Sequence, residues 1–322
     1  MSETASRLDV VDCHVHVVPW DVLSGGARAL LEKGRGREGL AGLREIAAEP
    51  GLLVQLMDQA GVSRVGIVGY VSPDVMGYPR EINEWVAAYV ARAPERLFGY
   101  GSVHPRFTAD PGADMDHVLG DLALAAIKVH PSHQLHAPNA YLEGLDALRV
   151  IYEKASEYGV PVAIHTGTST FPQARTRLAD PLLAEDVAID FPDLVLLLAH
   201  GGRPFWMEQA FFLVRRFPNV HLDISGIPPQ HLLTRYFPRL EEIAGKALYG
   251  SDWAGPGVPH FGRLAEECRG LPIERAKLQE ILAGNAMRLF RLDGSAPDHS
   301  QGDRHAAGSG QRPAGDMAQR AP

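Results

Sequence analysis

The fold is decided by the stretch Leu8-Asp9-Val10-Val11-Asp12-Cys13-His14-Val15-His16-Val17 near the start of the chain. This short, valine-rich stretch is typical of a β-strand. Side chains alternate between the two faces of a strand, so Asp12, His14 and His16 are predicted on one face and Cys13 on the other. Two histidines two residues apart are separated by roughly 7 Å along a strand, and both can reach one metal ion. The stretch therefore predicts a metal site on a strand whose opposite face, including the Cys13 thiol, is buried in a core.

Further apolar runs follow, and the complete set of predicted strands covers residues 9–17, 64–70, 97–103, 125–130, 160–165, 195–200, 220–224 and 247–251. Most runs are continuously apolar, which is typical of parallel strands covered on both faces. Amphipathic helical patterns separate them, and this succession of β-then-α units predicts an α/β fold closed into a (β/α)8 barrel. The alternative is an open doubly wound sheet, which is disfavoured because no Gly-x-Gly-x-x-Gly turn follows the first strand.

Composition limits the class of protein. The chain has 322 residues, of which 45% are hydrophobic and 22% charged, as in ordinary soluble enzymes. A formal charge of −8 argues against nucleic acid as a partner, because phosphate binding needs a basic face. No apolar run approaches the roughly 20 residues that cross a bilayer, and the first residues lack a signal-peptide pattern. We therefore expect no membrane partner. The two cysteines exclude a disulfide framework, so we also expect a cytoplasmic enzyme.

The chain divides into three segments. Residues 1–7 form a short lead, residues 8–292 are predicted to form the barrel, and residues 293–322 form a tail. The tail is nearly free of aliphatic residues, so we expect it to be disordered. Residues 18–50 are predicted to be a long loop inserted after the first strand. A loop of this length is either a lid or substrate-recognition element, or a solvated surface insertion.

Ionisable residues follow several predicted strands at the point where each one ends. Catalytic groups of (β/α)8 barrels lie at the carboxyl ends of the strands. After the first strand, this pattern occurs in Ala126-Ile127-Lys128-Val129-His130, Ile164-His165-Thr166-Gly167, Ala199-His200-Gly201-Gly202 and Gly250-Ser251-Asp252-Trp253. Each histidine alone could be a satisfied core residue and Asp252 a helix N-cap, but packing does not explain the whole set.

The first-strand motif Asp12-Cys13-His14-Val15-His16 and the motifs that contain His165, His200 and Asp252, in this order, resemble the amidohydrolase superfamily. More narrowly, they are similar to the amidohydrolase-related group (amidohydrolase 2) that contains aminocarboxymuconate-semialdehyde decarboxylase and aromatic-acid decarboxylases. A closing segment, Gly284-Asn285-Ala286-Met287-Arg288-Leu289-Phe290, is also similar to that group. The resemblance implies a distorted (β/α)8 TIM barrel in which His200 is catalytic near a metal-bound water. It also implies one divalent metal ion, bound by His14, His16, His165 and Asp252.

The predicted cofactor is one Zn²⁺ ion, because imidazole and carboxylate ligands suit zinc, and Mn²⁺ is an alternative. Asp252 is predicted to accept a proton from the metal-bound water as well as to bind the metal. Lys128 and His130 share a strand face and can both reach the site. Lys128 is either carboxylated and bridges two metal ions, as elsewhere in the superfamily, or it binds an anionic substrate or pairs with a carboxylate. Arg203, where the decarboxylases more often have a small residue, is predicted to bind a substrate carboxylate or to form a surface salt bridge.

Two reactions suit this site. Lys128 and Arg203 favour a metal-dependent hydrolase, in which metal-activated water attacks an ester, lactone or amide carbonyl of a small, carboxylate-bearing substrate. The alternative is non-oxidative decarboxylation of an aromatic or unsaturated carboxylic acid, with Asp252 or His200 protonating carbon as CO₂ leaves. A further alternative is a barrel that binds metal without turnover. Homodimers are common in the resembled group, so a homodimer is also expected.

Overall fold

Eight parallel strands form one sheet, and their order in the sheet is their order in the chain. The structure, a computed structural model, describes residues 7–33, 35–258 and 260–294. The strands are β1 (Val11–Val15), β2 (Arg64–Val68), β3 (Leu97–Gly101), β4 (Ala126–Val129), β5 (Val162–His165), β6 (Leu196–Ala199), β7 (Val220–Asp223) and β8 (Ala247–Leu248). All the predicted strands are therefore present, and each is shorter than predicted at one end or both.

The chain after β8 pairs with β1, which brings the two ends of the sheet together. The Cys13 N–H donates to Tyr249 O at 3.1 Å, and the Asp252 N–H donates to His14 O at 2.9 Å. The predicted α/β class and TIM-barrel architecture are confirmed. The open sheet is wrong, because the first and last strands of such a sheet would not be bonded to each other.

Helices surround this sheet. The α-helices of the described residues are α1 (Gly25–Glu32), α2 (Arg37–Ala48), α3 (Pro50–Ala60), α4 (Ile82–Val90), α5 (Pro111–Asp116), α6 (Pro131–Gln134), α7 (Asp146–Glu157), α8 (Glu185–Asp190), α9 (Met207–Arg216), α10 (Pro229–His231), α11 (Arg263–Arg269), α12 (Arg275–Gln279) and α13 (Asn285–Leu289). Short 3₁₀ segments cover Trp20–Val22, Ala140–Glu143, Thr176–Ala179, Pro181–Ala184, His200–Gly202 and Leu240–Lys246. Single π-helical turns cover His117–Asp121, Leu232–Tyr236 and Glu280–Gly284.

The predicted alternation of β1 does not hold along its whole length. The register of β1 against β2 shifts between Asp12 and Val15, as it does at a β-bulge. Cys13 is fully buried, as predicted, but it clusters with Ala126, whereas Val15 belongs to the larger core against the helices. Ala126 lies two residues before Lys128 on β4, so both are on the same face of that strand. Cys13 therefore packs on the side of the sheet that carries the site, not on the opposite one.

The inserted segment 18–50 is mainly helical, whereas the sequence predicted a loop. It contains a 3₁₀ turn, α1 and α2. Ala27 and Leu31 are buried one turn apart on α1, and Ile46 is buried on α2, so each helix packs one face against the barrel. The glycine pair Gly25-Gly26 concealed these helices, because adjacent glycines usually indicate a turn or loop.

Parts of the two terminal segments lie outside the described residues, namely residues 1–6 of the predicted lead and residues 295–322 of the predicted tail. Within the described part of the chain, no helix combines the length and the apolar character that crossing a membrane requires.

Candidate metal centre and active-site cleft

A cleft opens at the carboxyl ends of the strands and encloses about 1020 Å³ of space, including its open mouth. Its floor carries ionisable groups, namely His14, His16, Lys128, His130, His133, His165, His200, Arg203 and Asp252. Its walls are largely apolar and aromatic, and include Trp20, Leu31, Leu43, Ile46, Tyr70, Met76, Tyr78 and Phe171. Every candidate site residue named from the sequence therefore lines one cleft, although these residues come from distant parts of the chain.

His14, His16 and Asp252 meet in the floor. His16 Nε2 lies 3.2 Å from Asp252 Oδ1, and His14 Nε2 lies 3.9 Å from the same oxygen. His14, His200 and Asp252 offer ligand atoms that all lie within 4.8 Å of one another, and this is the one such group of three among the described residues. His165 is outside that group, with its ring centroid 4.7 Å from that of His200. The geometry thus brings His200, the predicted catalytic residue, as close to Asp252 as a metal ligand would be.

The backbone is unusual at two of these residues. His200 has φ 65° and Asp252 has φ 64°, the left-handed region that residues other than glycine seldom adopt. Such conformations cluster at functional sites, where the surrounding structure holds them in place. Gly250 makes room nearby, because a Cβ at this position would lie 2.7 Å from the Cβ of His14. The local backbone is therefore shaped to present these two side chains to the cleft.

Two residues outside the predicted set, Asp223 and Ser225, hold the imidazoles in place. Asp223 Oδ2 lies 2.5 Å from His14 Nδ1. Ser225 Oγ lies 3.2 Å from His14 Nδ1 and 2.9 Å from His200 Nδ1. A carboxylate on Nδ1 keeps the proton there and leaves Nε2 free to bind a metal. Asp223 ends an apolar strand just as the nominated residues do, so the same criterion applied to β7 would have found it.

Buried nitrogens without partners provide a test of whether a metal ion fits. Neither His14 Nε2 nor His165 Nε2 has a hydrogen-bond partner among the described residues, although both atoms are buried. Leaving such atoms unpaired is costly, and a metal ion would satisfy them. Burial lowers the pKa of His14, and burial lowers the pKa values of His165 and His200 well below the usual range. Neutral imidazole is the form that binds metals, so this donor set fits a divalent ion such as Zn²⁺ or Mn²⁺.

Asp252 is ionised and faces Arg203. Burial raises the pKa of Asp252, but the hydrogen bond from His16 and the charges of neighbouring groups outweigh it and leave the pKa below its usual value. Arg203 Nη2 lies 3.3 Å from Asp252 Oδ2. Gly226 makes this pairing possible, because a Cβ there would lie 2.5 Å from Arg203 Nη2 and 2.8 Å from Asp252 Oδ2. The ion pair of Arg203 is therefore part of the cleft and not a surface contact.

Lys128 and two histidines occupy the β4 side of the cleft. The Lys128 ammonium is buried without a hydrogen-bond partner among the described residues, and burial lowers its pKa to about 8. The ring of His130 lies between the rings of His133 and His165, with centroid distances of 3.6 and 3.9 Å. His133 was not nominated from the sequence, where its single signal was its place in the loop after the fourth predicted strand.

Comparisons with known proteins agree with this fold. The model of a family described as Amidohydrolase matches residues 11–292. The fold is similar to that of an uncharacterised TIM-barrel protein from Bordetella bronchiseptica, with a TM-score of 0.68 and 23% identity over 89% of this chain and 100% of that chain. It is also similar to 2,6-dihydroxybenzoate decarboxylase from Rhizobium, with a TM-score of 0.63 and 19% identity over 89% of this chain and 99% of that chain.

A third similar structure is a dihydroxybenzoic acid decarboxylase from Polaromonas sp. with bound manganese and the inhibitor 2-nitroresorcinol. It has a TM-score of 0.61 and 17% identity over 89% of this chain and 97% of that chain. A search of curated protein sequences finds no significant match. Identities this low establish a common fold alone, but the family model spans nearly all of the barrel. The chain therefore belongs to the amidohydrolase family, as its strand-end motifs predicted.

Proposed function

We propose that this protein is a metal-dependent carboxy-lyase that removes CO₂, without oxidation, from an aromatic or unsaturated carboxylic acid. The strongest support is the combination of a floor of imidazole and cationic groups with an aromatic wall in one cleft. Two structures of similar fold are decarboxylases of dihydroxybenzoic acids, which favours this reaction over the hydrolysis that the sequence favoured.

The cleft suits a small planar carboxylate. Arg203 and Lys128 supply two positive charges, and the Lys128 ammonium has no hydrogen-bond partner among the described residues. Arg203 can bind a carboxylate through two parallel hydrogen bonds, and Lys128 can bind it as a point charge. Tyr70, Tyr78 and Phe171 provide flat apolar surface against which an aromatic ring can pack.

The proposed metal ligands are His14, His16, His165 and Asp252. When bound, a divalent ion would neutralise the negative charge of the substrate oxygens and orient them. A manganese ion is bound by one decarboxylase of similar fold, and the imidazole and carboxylate donors suit both Mn²⁺ and Zn²⁺. We propose a single-ion site in which Lys128 stays an ammonium group instead of being carboxylated and bridging two ions.

In the proposed reaction the bond between the carboxylate and its neighbouring carbon breaks, CO₂ leaves, and the electron pair stays on the carbon, which takes up a proton. Asp252 is ionised, so it can accept a proton from a substrate hydroxyl or from water and pass it to that carbon. His200 has Nδ1 held by Ser225, which directs its other nitrogen to the reacting groups. Asp252 and His200 both line the cleft, so both can reach a carbon atom that loses CO₂ there.

The reaction type is tested by incubating Mn²⁺- or Zn²⁺-loaded protein in D₂O with hydroxylated benzoic acids and, separately, with aryl esters and lactones. We expect CO₂ release and one deuterium at the carbon that lost the carboxylate. Asp252→Asn and His200→Asn should abolish both signals, whereas Asp193→Asn, at an exposed position, should not. Acid release from the esters or lactones without CO₂ from any acid would establish hydrolysis and reject the proposal.

Oligomeric state and cellular location stay predictions from the sequence. A homodimer would be seen as twice the 35.0 kDa chain mass in sedimentation analysis. Fractionation of the cells that make the protein would test the cytoplasmic location.

A further inference from the structure

Three imidazole rings form a continuous stack between the ends of β4 and β5. His133 and His130 are nearly parallel, with an interplanar angle of 11° and a centroid distance of 3.6 Å. His130 and His165 are also nearly parallel, at 13° and 3.9 Å. All three side chains are buried, and burial lowers each of their pKa values, so the stack consists of neutral rings.

The outer ring of this stack is held at both nitrogens. His133 Nδ1 lies 2.9 Å from the Tyr70 hydroxyl, and His133 Nε2 lies 2.7 Å from Ser169 Oγ. Two hydrogen bonds at opposite corners of a planar ring prevent it from rotating about its χ2 angle. His130 lacks such anchoring at Nδ1, which is buried without a partner among the described residues. The orientation of His130 is therefore set by the rings on either side of it.

Ser169 connects the stack to the wall of the cleft. It belongs to the segment 168–171, all four residues of which line the cleft. Tyr70 lines the cleft on the other side, and its ring lies 4.9 Å from that of His130. His133 thus connects Tyr70, which follows β2, and Ser169, which follows β5, to the ring of His130. The ring of His130 in turn stacks on His165.

We propose that His133 is a positioning residue: anchored by Tyr70 and Ser169, it fixes the imidazole stack that orients His165 as a metal ligand and ties the substrate-facing segment 168–171 to that ligand. This inference rests on the proposed role of His165. His133 itself takes no part in the chemistry, and it acts on the proposed metal ligand His165 through the ring of His130.

A purely space-filling role does not explain this arrangement. A buried aromatic ring could stack on His130 without any polar atom, and it would avoid the cost of burying two ring nitrogens. In metal sites, residues behind the ligands fix ligand orientation, and their loss typically lowers metal affinity by roughly 10–100-fold. If the stack fixes the plane of the His165 ring, loss of the His133 ring should lower metal affinity by a similar factor.

The test compares Mn²⁺ affinity and the Mn²⁺ electron paramagnetic resonance spectrum of the whole protein and four variants. His133→Ala removes the ring, His133→Phe keeps a stacking ring without nitrogens, and Tyr70→Phe and Ser169→Ala each remove one anchor. We expect His133→Ala to weaken Mn²⁺ binding by roughly 10–100-fold and to broaden the spectrum. His133→Phe, Tyr70→Phe and Ser169→Ala should each weaken Mn²⁺ binding by a smaller factor than His133→Ala. Ser169→Ala should also raise KM.

His136→Gln is the matched control, because His136 is also buried in the loop after β4 but is absent from the stack. Circular dichroism establishes that each variant is folded. If His133→Ala does not fold, the other three variants decide the outcome. Folded variants that bind Mn²⁺ with unchanged affinity and spectrum would overturn this inference and leave the proposed function standing. If the unaltered protein bound neither Mn²⁺ nor Zn²⁺, both this inference and the proposed function would be wrong.

Discussion

At the scale of single residues, the site depends on carboxylates that orient imidazoles. Asp223 lies 2.5 Å from His14 Nδ1, and the two side chains are almost fully buried. In such a site the strength of the contact comes from its dry surroundings, because water does not compete for the donor or the acceptor. The pairing selects the tautomer in which His14 Nε2 is free, and this nitrogen is one of the buried atoms without a partner among the described residues.

We predict that Asp223→Asn weakens metal binding by about 10–100-fold while the protein stays folded. The amide is close in shape to the carboxylate but lacks the negative charge that holds the proton on His14 Nδ1. Competition with a chelator, followed by measurement of metal content, checks this. Asp193→Asn is the exposed control. Equal affinities of the two variants would show that Asp223 does not orient a ligand.

We predict that Arg203→Gln raises KM for a carboxylate substrate by about 10–100-fold, because a hydrogen bond to a charged group contributes about 1.5–3 kcal/mol. The value of kcat should change less, since Arg203 in the proposed reaction binds the carboxylate and transfers no proton. Steady-state kinetics with the acid identified by CO₂ release checks both constants. Arg177→Gln removes an exposed arginine from the loop after β5 and should leave KM unchanged. An unchanged KM in Arg203→Gln would place the substrate carboxylate elsewhere.

At the scale of elements, the inserted helices α1 and α2 complete the cleft. They supply Leu31, Leu43 and Ile46 to its wall, where a barrel without the insert would be open. Arg35, between the two helices, joins them to the loop after β8. Its Nη2 donates to Ala254 O at 2.6 Å and to Gly255 O at 3.0 Å. The insert is thereby anchored close to Asp252, so it is part of the wall of the cleft and not a solvated insertion.

We predict that Arg35→Ala loosens the insert without unfolding the barrel. Loss of these hydrogen bonds lowers the free energy of local opening, so amide hydrogen exchange should accelerate in α1 and at Ala254 and Gly255. Exchange in β4 to β6 should be unchanged. Mass spectrometry of exchange measures both regions, and Arg37→Ala, at an exposed position on α2, serves as control. Equal exchange in the two variants would mean that Arg35 does not anchor the insert.

At the scale of the whole molecule, the barrel buries many histidines in neutral form. Burial lowers the pKa values of His104, His136 and His221 to about 4, from an ordinary value of 6.5. In the unfolded chain these residues take up protons near pH 6.5, whereas the folded protein takes them up near pH 4. Asp12 acts in the opposite sense, because burial raises its pKa to about 7. The buried histidines outnumber Asp12, so they determine whether the free energy of unfolding rises or falls with pH.

We predict that the free energy of unfolding of the metal-free protein decreases as the pH falls from about 6.5 towards 4, because the unfolded state binds more protons in this window. Urea unfolding at a series of pH values measures the slope. His221→Asn removes one of the responsible groups, so its slope should be shallower. A free energy that is constant or rises as the pH falls would contradict the prediction.

The sequence by itself determined the parallel strands, their helices and the residues at their carboxyl ends. These features follow from local periodicity and chain order, which is why β1, β5, β6 and the chain after β8 could be expected to bring His14, His165, His200 and Asp252 to one rim. The family was predicted on the same residues and is confirmed. The reaction was not determined, because hydrolysis and decarboxylation place the same residue types at the same strand ends.

The tertiary structure alone decided the contacts made across the barrel. The bulge in β1, the Asp223–His14 pair and the stack of His133 on His130 each join residues whose approach no local pattern encodes. The helices of the insert are stabilised by packing on the barrel, and their local signals are weak, which is why the sequence predicts a loop there. Periodicity depends on near neighbours in the chain, whereas the orientation of a buried side chain depends on whichever distant groups the closed sheet brings against it.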